Sequence, residues 1–373
     1  MKPTNIVLLA FNSQLNHLVN GKKLSDGLSV VVQIGHTLWV ANDETISLER
    51  LTLSEAGSTH EGIEHRQFSL NDYLRLPMPP AANSKDLDEA DLEGLAYEDG
   101  YLWLIGSHSL KRKQPKLGEG FDKSSKRLAI VEGDGNRYLL ARIPVEERGG
   151  TYVLTKKAKE KGEKRTAAQL NGDKNGNELL EALGKDDHLG PFLAIPGKDN
   201  GFDIEGLAAV DGHLFIGLRG PVLRGWAVIL EVVPEEDKDD SAKLKLKSIG
   251  SNGRPYRKHF LQLGGLGVRD LCVQGDNLLI LAGPTMVLDG PVAVFRWPGG
   301  AKTEEESMVS VGKLERLLDV PYGEGVDHAE GMSLFSIDGS EAHQIIIVYD
   351  SASKNRQPGD DTMLADVFTL PAA

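Results

Sequence analysis

Five acidic residues recur at the same point of a repeated phrase: Asp26, Glu93, Glu205, Asp270 and Glu330. Three of them share the pattern Glu-Gly-[Leu/Met], at 93–95, 205–207 and 330–332. Carboxylates gathered on one axis repel one another, and a hard cation with oxygen ligands, Ca²⁺ or Mg²⁺ rather than Zn²⁺, is their usual neutraliser. Such an ion polarises a substrate and lowers the pKa of a bound water, which is the chemistry of a metal-assisted hydrolase. The same residues have a plainer use, because short acids ahead of glycine also satisfy backbone donors where strands begin.

Around these acids stand groups suited to substrate handling. Ser107, His108 and Ser109 end an apolar run, so His108 beside the carboxylates is a candidate general base, with Glu205 as its catalytic partner. A histidine at a strand end also serves as an ordinary hydrogen-bonded group, and His328, two residues before Glu330, has the same two readings. Residues 111–165 hold 16 Lys and Arg against 8 Asp and Glu. Lys111, Arg112, Arg219, Arg224 and Arg269, with Ser107, are candidate substrate contacts, since guanidinium forks match phosphate and carboxylate oxygens. The ligand implied is an anionic small molecule, a phosphate ester above all. A non-catalytic propeller recruiting an anionic ligand or a protein partner uses the same residues, and a lactonase-like hydrolase is a third reading.

The repeats predict what must position these groups. DLEGLAYEDGYLWLIGSHS (91–109) matches FDIEGLAAVDGHLFIGLRGP (202–221), and weaker copies lie at 25–44, 268–284 and 328–351. Each reads as an acid, a small or apolar run, a Gly/Asp turn and a strongly apolar strand, the grammar of a β-hairpin. The acids are spaced by 67, 112, 65 and 60 residues, and 69 separate Glu330 from Asp26 through the two termini. A unit of that length holds about four strands, read in the second copy as GLAYE, LWLIGS, RLAIVEG and RYLLARIP. Repeated four-stranded sheets predict an all-β fold, a β-propeller with five blades, or six if the long interval hides one. NIVLLAF at the N-terminus is expected to supply the outer strand of the last blade and close a single domain over 1–373. The long interval is read as an insertion, about 145–192, with a short helix capped by Asn177 and bearing Leu179, Leu180 and Leu183 on one face.

Composition narrows the classes further. The 373 residues include 42 Gly without a Gly-X-Y period, so the excess belongs to tight turns rather than to collagen. The one cysteine, Cys272, excludes an internal disulfide and zinc-ribbon spacing. No run approaches the roughly 20 apolar residues of a membrane helix, which with the cysteine usage points to a soluble cytoplasmic protein without a membrane partner. The formal charge of -13 argues against general nucleic-acid binding. His60-Glu61-Gly62-Ile63-Glu64-His65 spaces its histidines by five residues and so is no zincin motif.

The stretches GSHSLKRK, NGFDIEGLA, GLRGPVLRGWA, GGLGVRDL and LILAGPTM resemble the hallmark segments of a bacterial family known as domain of unknown function 3616. That likeness covers most of residues 20–355 and names no activity. The Glu-Gly-[Leu/Met] strand entrances also resemble phytase-esterase-like propellers and the five-bladed calcium-activated nucleotidases. The second resemblance implies Glu93, Glu205 and Glu330 as ligands of an axial Ca²⁺, with Asp26 and Asp270 at the two remaining blades. The Lys/Arg loops and the helical insertion depart from the nucleotidase pattern.

Overall fold

Short apolar runs bounded by Gly and Asp become strands that are buried on both faces. Thr37–Asn42 and Ala227–Val232, for example, have every residue buried, as expected of strands stacked between two layers. The computed structural model describes residues 2–56, 59–78, 89–160, 162–336 and 343–371. Its main strands, in chain order, are β1 (Asn5–Ala10), β2 (Leu28–Ile34), β3 (Thr37–Asn42), β4 (Ser47–Ala56), β5 (Thr59–Ser69), β6 (Leu92–Glu98), β7 (Tyr101–Gly106), β8 (Leu140–Arg148), β9 (Ala168–Leu170) and β10 (Asp203–Val210). They continue as β11 (His213–Gly220), β12 (Ala227–Val232), β13 (Arg257–Leu261), β14 (Gly267–Gln274), β15 (Asn277–Gly283), β16 (Val292–Trp297), β17 (Glu315–Val320), β18 (His328–Phe335), β19 (Gln344–Asp350) and β20 (Thr362–Thr369).

Hydrogen bonding groups these strands into meanders: β2-β3-β4-β5, β6-β7-β8-β9, β10-β11-β12-β13, β14-β15-β16-β17 and β18-β19-β20-β1. The innermost strands β2, β6, β10, β14 and β18 pack against one another in that order, and β18 returns to β2. A ring of twisted sheets radiating from one axis is a β-propeller. Strand β1 runs antiparallel to β20 and parallel to β5, so it lies between the last sheet and the first. The core is layered between neighbouring sheets, as where Leu95 and Leu104 meet Val30 and Trp39, and where Phe215 meets Leu271 and Ile280.

The inner hairpins turn through Asp99-Gly100 and Asp211-Gly212, with φ of 48° and 73° in the first and 52° and 75° in the second. Two consecutive positive φ values define the type I′ turn that suits twisted strands. The connections that enter the innermost strands and those that leave the second strands fall on the opposite face, whereas the long connections 149–167, 233–256 and 298–314 lie on the side of the turns.

The second sheet departs from the expected strand assignment. Of the RLAIVEG run, Arg127 and Leu128 end a helix, α1 (Phe121–Leu128), and only Val131–Glu132 is extended. Gly120, at φ 79°, starts that helix, and none of its residues is buried, so the apolar content of the run is not spent on a blade. The third and fourth strands are instead β8 and β9, and β9 lies inside the segment read as an insertion. Its helix, α2 (Glu178–Leu183), is as expected: the Asn177 side chain accepts from the Leu180 amide, and Leu179 and Leu183 are buried.

Close approach of the innermost strands depends on glycine. A β-carbon at Gly94 would stand 2.6 Å from Leu207 Cβ and 2.9 Å from the Leu207 amide nitrogen, and one at Gly331 2.8 Å from the Val30 backbone. Gly94→Ala is therefore expected to cost about 1–3 kcal/mol by forcing two sheets apart. Gly312→Ala, where nothing lies within 4 Å, should stay within about 0.5 kcal/mol of the parent. Urea unfolding midpoints of the two variants check this, and equal midpoints would contradict it.

Candidate functional site at the mouth of the ring

Each innermost strand loses register with its neighbour near its start, and β10 does so a second time between Asp203 and Ile204. The unpaired residues are Ser29 in β2, Glu93 in β6, Arg269 in β14 and Glu330 in β18, while in β10 the slip falls at Glu205-Gly206. A bulge re-aims a side chain, and here it defines one equivalent position per sheet. That position is held by Ser29, Glu93, Glu205, Arg269 and Glu330, so the expected ring of five acids is corrected to three glutamates, an arginine and a serine.

Asp26 and Asp270, the remaining expected members, are engaged elsewhere. Asp26 lies in a 3₁₀ turn and accepts from Gln357 Nε2 at 3.0 Å. Asp270 occupies the position that glycine holds in β6, β10 and β18. Its carboxylate accepts from the amides of Leu271 and Met332, each at 2.7 Å, and so ties β14 to β18. This is the backbone-satisfying use of an acid at a strand entrance.

The charges at the centre are interleaved. Arg269 Nη1 donates to Glu205 at 3.0 Å and to Glu330 at 2.9 Å. Arg219, from the end of β11, is paired with Asp203 and with Glu205 at 2.5 Å. Arg137 contacts Asp91 and Glu89, each at 2.8 Å, and Ser109 Oγ at 3.1 Å. Burial pushes Glu205 upward while Arg219 and Arg269 oppose it. Burial pushes Glu93 well above the usual carboxylate range, and Asp91, Glu205 and Glu330 add repulsion. Glu330 is raised by burial, then by Asp350 and Glu205, against Arg269.

Two further acids, missed in the sequence, flank this cluster. Asp43 follows β3 and Asp350 ends β19, and the Oδ1 of each lies 3.4 Å from where Gly27 would carry a β-carbon. Asn42 Nδ2 lies nearer still to that point, at 2.8 Å, so a side chain at position 27 would crowd all three groups. Burial, then repulsion from Asp91 and Asp350, pushes the Asp43 carboxyl up to about 8. Asp350 is different: against the same effect of burial, His328 and the Ser351 amide and hydroxyl hold it below its ordinary value. The Ser351 amide donates to it at 2.6 Å, and His328 Nδ1 stands 3.9 Å away. Lys198, in the turn Gly197–Asp199, is accessible at the rim. Loss of hydration and Arg219 lower its pKa, and Glu330, Asp43 and Asp91 more than reverse this. The signal that could have found Asp43 and Asp350 is positional, an aspartate directly after the second strand in the AND and YDS runs.

The other expected residues are placed as follows. His108 is buried at φ 54°; its Nδ1 bonds the Gly106 carbonyl at 2.8 Å and its Nε2 accepts from Asn177 Nδ2 at 2.7 Å. Burial lowers its pKa to about 4. With both nitrogens occupied, His108 anchors the cap of α2, and the general-base expectation is corrected to a structural one. Ser107 is buried, and its carbonyl accepts from the Ile204 amide at 2.8 Å. Lys111 bonds Glu89 at 3.1 Å, Arg112 bonds Asp199 at 2.7 Å, and Arg224 is exposed at the tip of a tight turn. Cys272 is partly buried against the core, as expected. Among the described residues, no three His, Cys, Asp or Glu side chains come together as ligands of one metal ion. None of the helices described is long and apolar enough to cross a membrane.

Fold and site thus define a β-propeller with a charged axial mouth. The sequence matches a protein family of unknown function, DUF3616, over residues 27–366, and the chain belongs to that family. No curated protein matches it. Among solved structures it is similar to the glutaminyl cyclase of Myxococcus xanthus, at 12% identity and TM-score 0.37, with 100% of both chains covered. It is also similar to a putative oxidoreductase (glucose dehydrogenase) of Thermus thermophilus, at 14% identity and TM-score 0.36, covering 92% of this chain and 97% of that one.

The mouth has a thermodynamic signature of its own. Because folded Asp43 keeps its proton to about pH 8, whereas an unfolded aspartate loses it near pH 4, stability falls as the pH rises between those values. Asp43→Asn should flatten that fall and be more stable than the parent at pH 8.5, by about 1 kcal/mol or more. Urea unfolding at pH 5 and pH 8.5 is the measurement, and parallel losses in parent and variant would count against the assignment.

Proposed function

We propose that the mouth of the ring is a hydrolytic site for a small molecule bearing an anionic group, a phosphate ester being the leading class. The supporting observation is the pair Asp43 and Asp350: two carboxyls facing one gap whose surroundings drive their pKa values apart. Such a pair provides an acid and a base at neutral pH. Asp350, ionised, takes a proton from water as the water oxygen bonds to phosphorus; the ester P–O bond breaks, and Asp43 gives its proton to the departing oxygen. Lys198 is accessible to the anionic group, whereas Arg219 and Arg269 are committed to Asp203, Glu205 and Glu330. Their role in this reading is to hold those acids in place.

The donors at the mouth are carboxylate oxygens, which suit Ca²⁺ or Mg²⁺ by type. No three of the described carboxyls come together around one ion, so this reading assigns none of them as cation ligands and takes its acid and base from Asp43 and Asp350.

Phosphate esters and lactones presented to the full chain, with and without EDTA, test this reading. Expected is ester turnover that falls by about 10²–10⁴ in Asp43→Asn and in Asp350→Asn. The rate should decline above pH about 8 as Asp43 loses its proton, and Lys198→Ala should raise KM. Binding without turnover would replace the hydrolase with a non-catalytic binding propeller, lactone turnover would reassign the substrate, and loss of rate in EDTA would give the cation its part.

A further inference from the structure

Helix α1 buries none of its residues. A helix this short ordinarily gains its stability by packing one face, but here the ties are polar. Arg112 Nη1 donates to the Leu128 carbonyl at 2.8 Å, Arg127 Nε to the Gln114 carbonyl at 3.0 Å, and Ser124 Oγ to the Lys116 carbonyl at 2.6 Å. At about 100° per residue, Phe121, Ser125 and Leu128 fall on one side of the helix and Lys123, Lys126 and Arg127 on the other. Lys111, Arg112 and Lys113 are matched by Glu89, Asp199 and Glu132. Among the described residues, Lys123 and Lys126 pair with no acid.

The two faces of the ring also differ in the apolar surface they expose. Among the described residues, 14 large apolar side chains are exposed. Ten of them lie on connections that enter innermost strands or leave second strands, the face of the mouth, and only Met308 and Val311 lie on a connection of the opposite face. They come in runs, Phe121, Leu128, Ile130 and Val131 close together in the chain and Met286, Val287 and Leu288 consecutively. Such concentration marks a binding surface. Phe121, Val19 and Val287 are 83%, 77% and 70% exposed. Val19 precedes the first sheet, Phe121 leaves the second, Val287 leaves the fourth, and Tyr322 leads into the fifth.

We infer that the face of the mouth docks on an anionic lipid bilayer, with α1 lying in the interface. Phe121 and Leu128 enter the boundary between headgroups and acyl chains, while Lys123, Lys126 and Arg127 meet anionic headgroups. Lying on a bilayer needs no spanning helix, so the short apolar runs of the sequence are no obstacle. A groove on another protein covers one patch, whereas a bilayer meets projecting connections of several sheets at once. The formal charge of -13 on the whole chain opposes approach by its other surfaces, so the unmatched cations of α1 also set the orientation. The docking is independent of the hydrolytic reading, which concerns the axis of the same face.

Sedimentation of the full chain with vesicles tests this, using phosphatidylglycerol mixed with phosphatidylcholine against phosphatidylcholine alone. Binding to the mixed vesicles is expected to be tighter by about tenfold or more, and to weaken as salt is raised. Phe121→Ser and the double variant Lys123→Glu/Lys126→Glu should each weaken it by about tenfold or more. Met308→Ser, on the opposite face, should leave it unchanged. All four positions are exposed, and urea midpoints equal to the parent's confirm that the variants fold. Equal binding to the two vesicles, or binding that the α1 variants leave intact, overturns the inference. Binding to neither also overturns it and gives the face to a protein partner instead.

Discussion

Bringing five strands to one axis forces polar side chains into a space with little water, and the rest of the site follows from how their charge is compensated. An isolated buried carboxylate is costly, so it must be paired, hydrogen-bonded or protonated. All three remedies occur around this axis. Arg269 bridges Glu205 and Glu330, Arg219 joins Asp203 to Glu205, and the amides of Leu271 and Met332 satisfy Asp270. Asp43, pushed up to about 8, is left to the third remedy, and burial with its acidic neighbours pushes Glu93 the same way. The chemically available groups are therefore those that the structural ion pairs leave over.

The backbone arranges this division. A bulge at one residue of each innermost strand turns Ser29, Glu93, Glu205, Arg269 or Glu330 out of the ladder. Glycine in the next position of β6, β10 and β18 lets the adjacent strand approach within contact of the main chain. In β14 the glycine is replaced by Asp270, which reaches the neighbouring amides instead of yielding to them. One repeat thus alternates between close packing and hydrogen bonding without changing the ring.

The sequence carried the propeller and three of the axial acids because Glu-Gly-[Leu/Met] combines a charge, a bulge and a glycine in one short phrase. In β14 the glycine is missing and the nearest acid becomes a false guide, whereas before β2 the acid-glycine-leucine phrase recurs three positions early, at Asp26-Gly27-Leu28. The phrase therefore points to Asp270 and Asp26, while the bulges fall at Arg269 and Ser29. Asp43 follows a second strand and Asp350 ends one, neither has glycine next to it in sequence, and much of their character comes from neighbours far away in the chain. The same distance hid the role of His108, whose partner Asn177 lies 69 positions away. The local charge of residues 111–165 was a weaker guide still: Arg137 alone among the contacts described for that stretch enters the acidic centre, while Arg112 turns to Asp199 and Arg142 stacks on Tyr101 and pairs with Glu236.

An anionic ligand entering a mouth lined with acids must meet less negative charge than a count of carboxylates suggests. The ion pairs of Arg137, Arg219 and Arg269 offset much of it, and the proton on Asp43 removes a further charge, leaving Lys198 exposed at the rim. On the proposed hydrolytic reading, deprotonation of Asp43 would have two effects in one direction, since it would take away the acid and restore a repelling charge beside Asp350. Binding and proton donation would then draw on the same proton. A site built this way loses affinity and rate together as the pH rises, whereas a site whose acid lies apart from the binding charges loses rate alone.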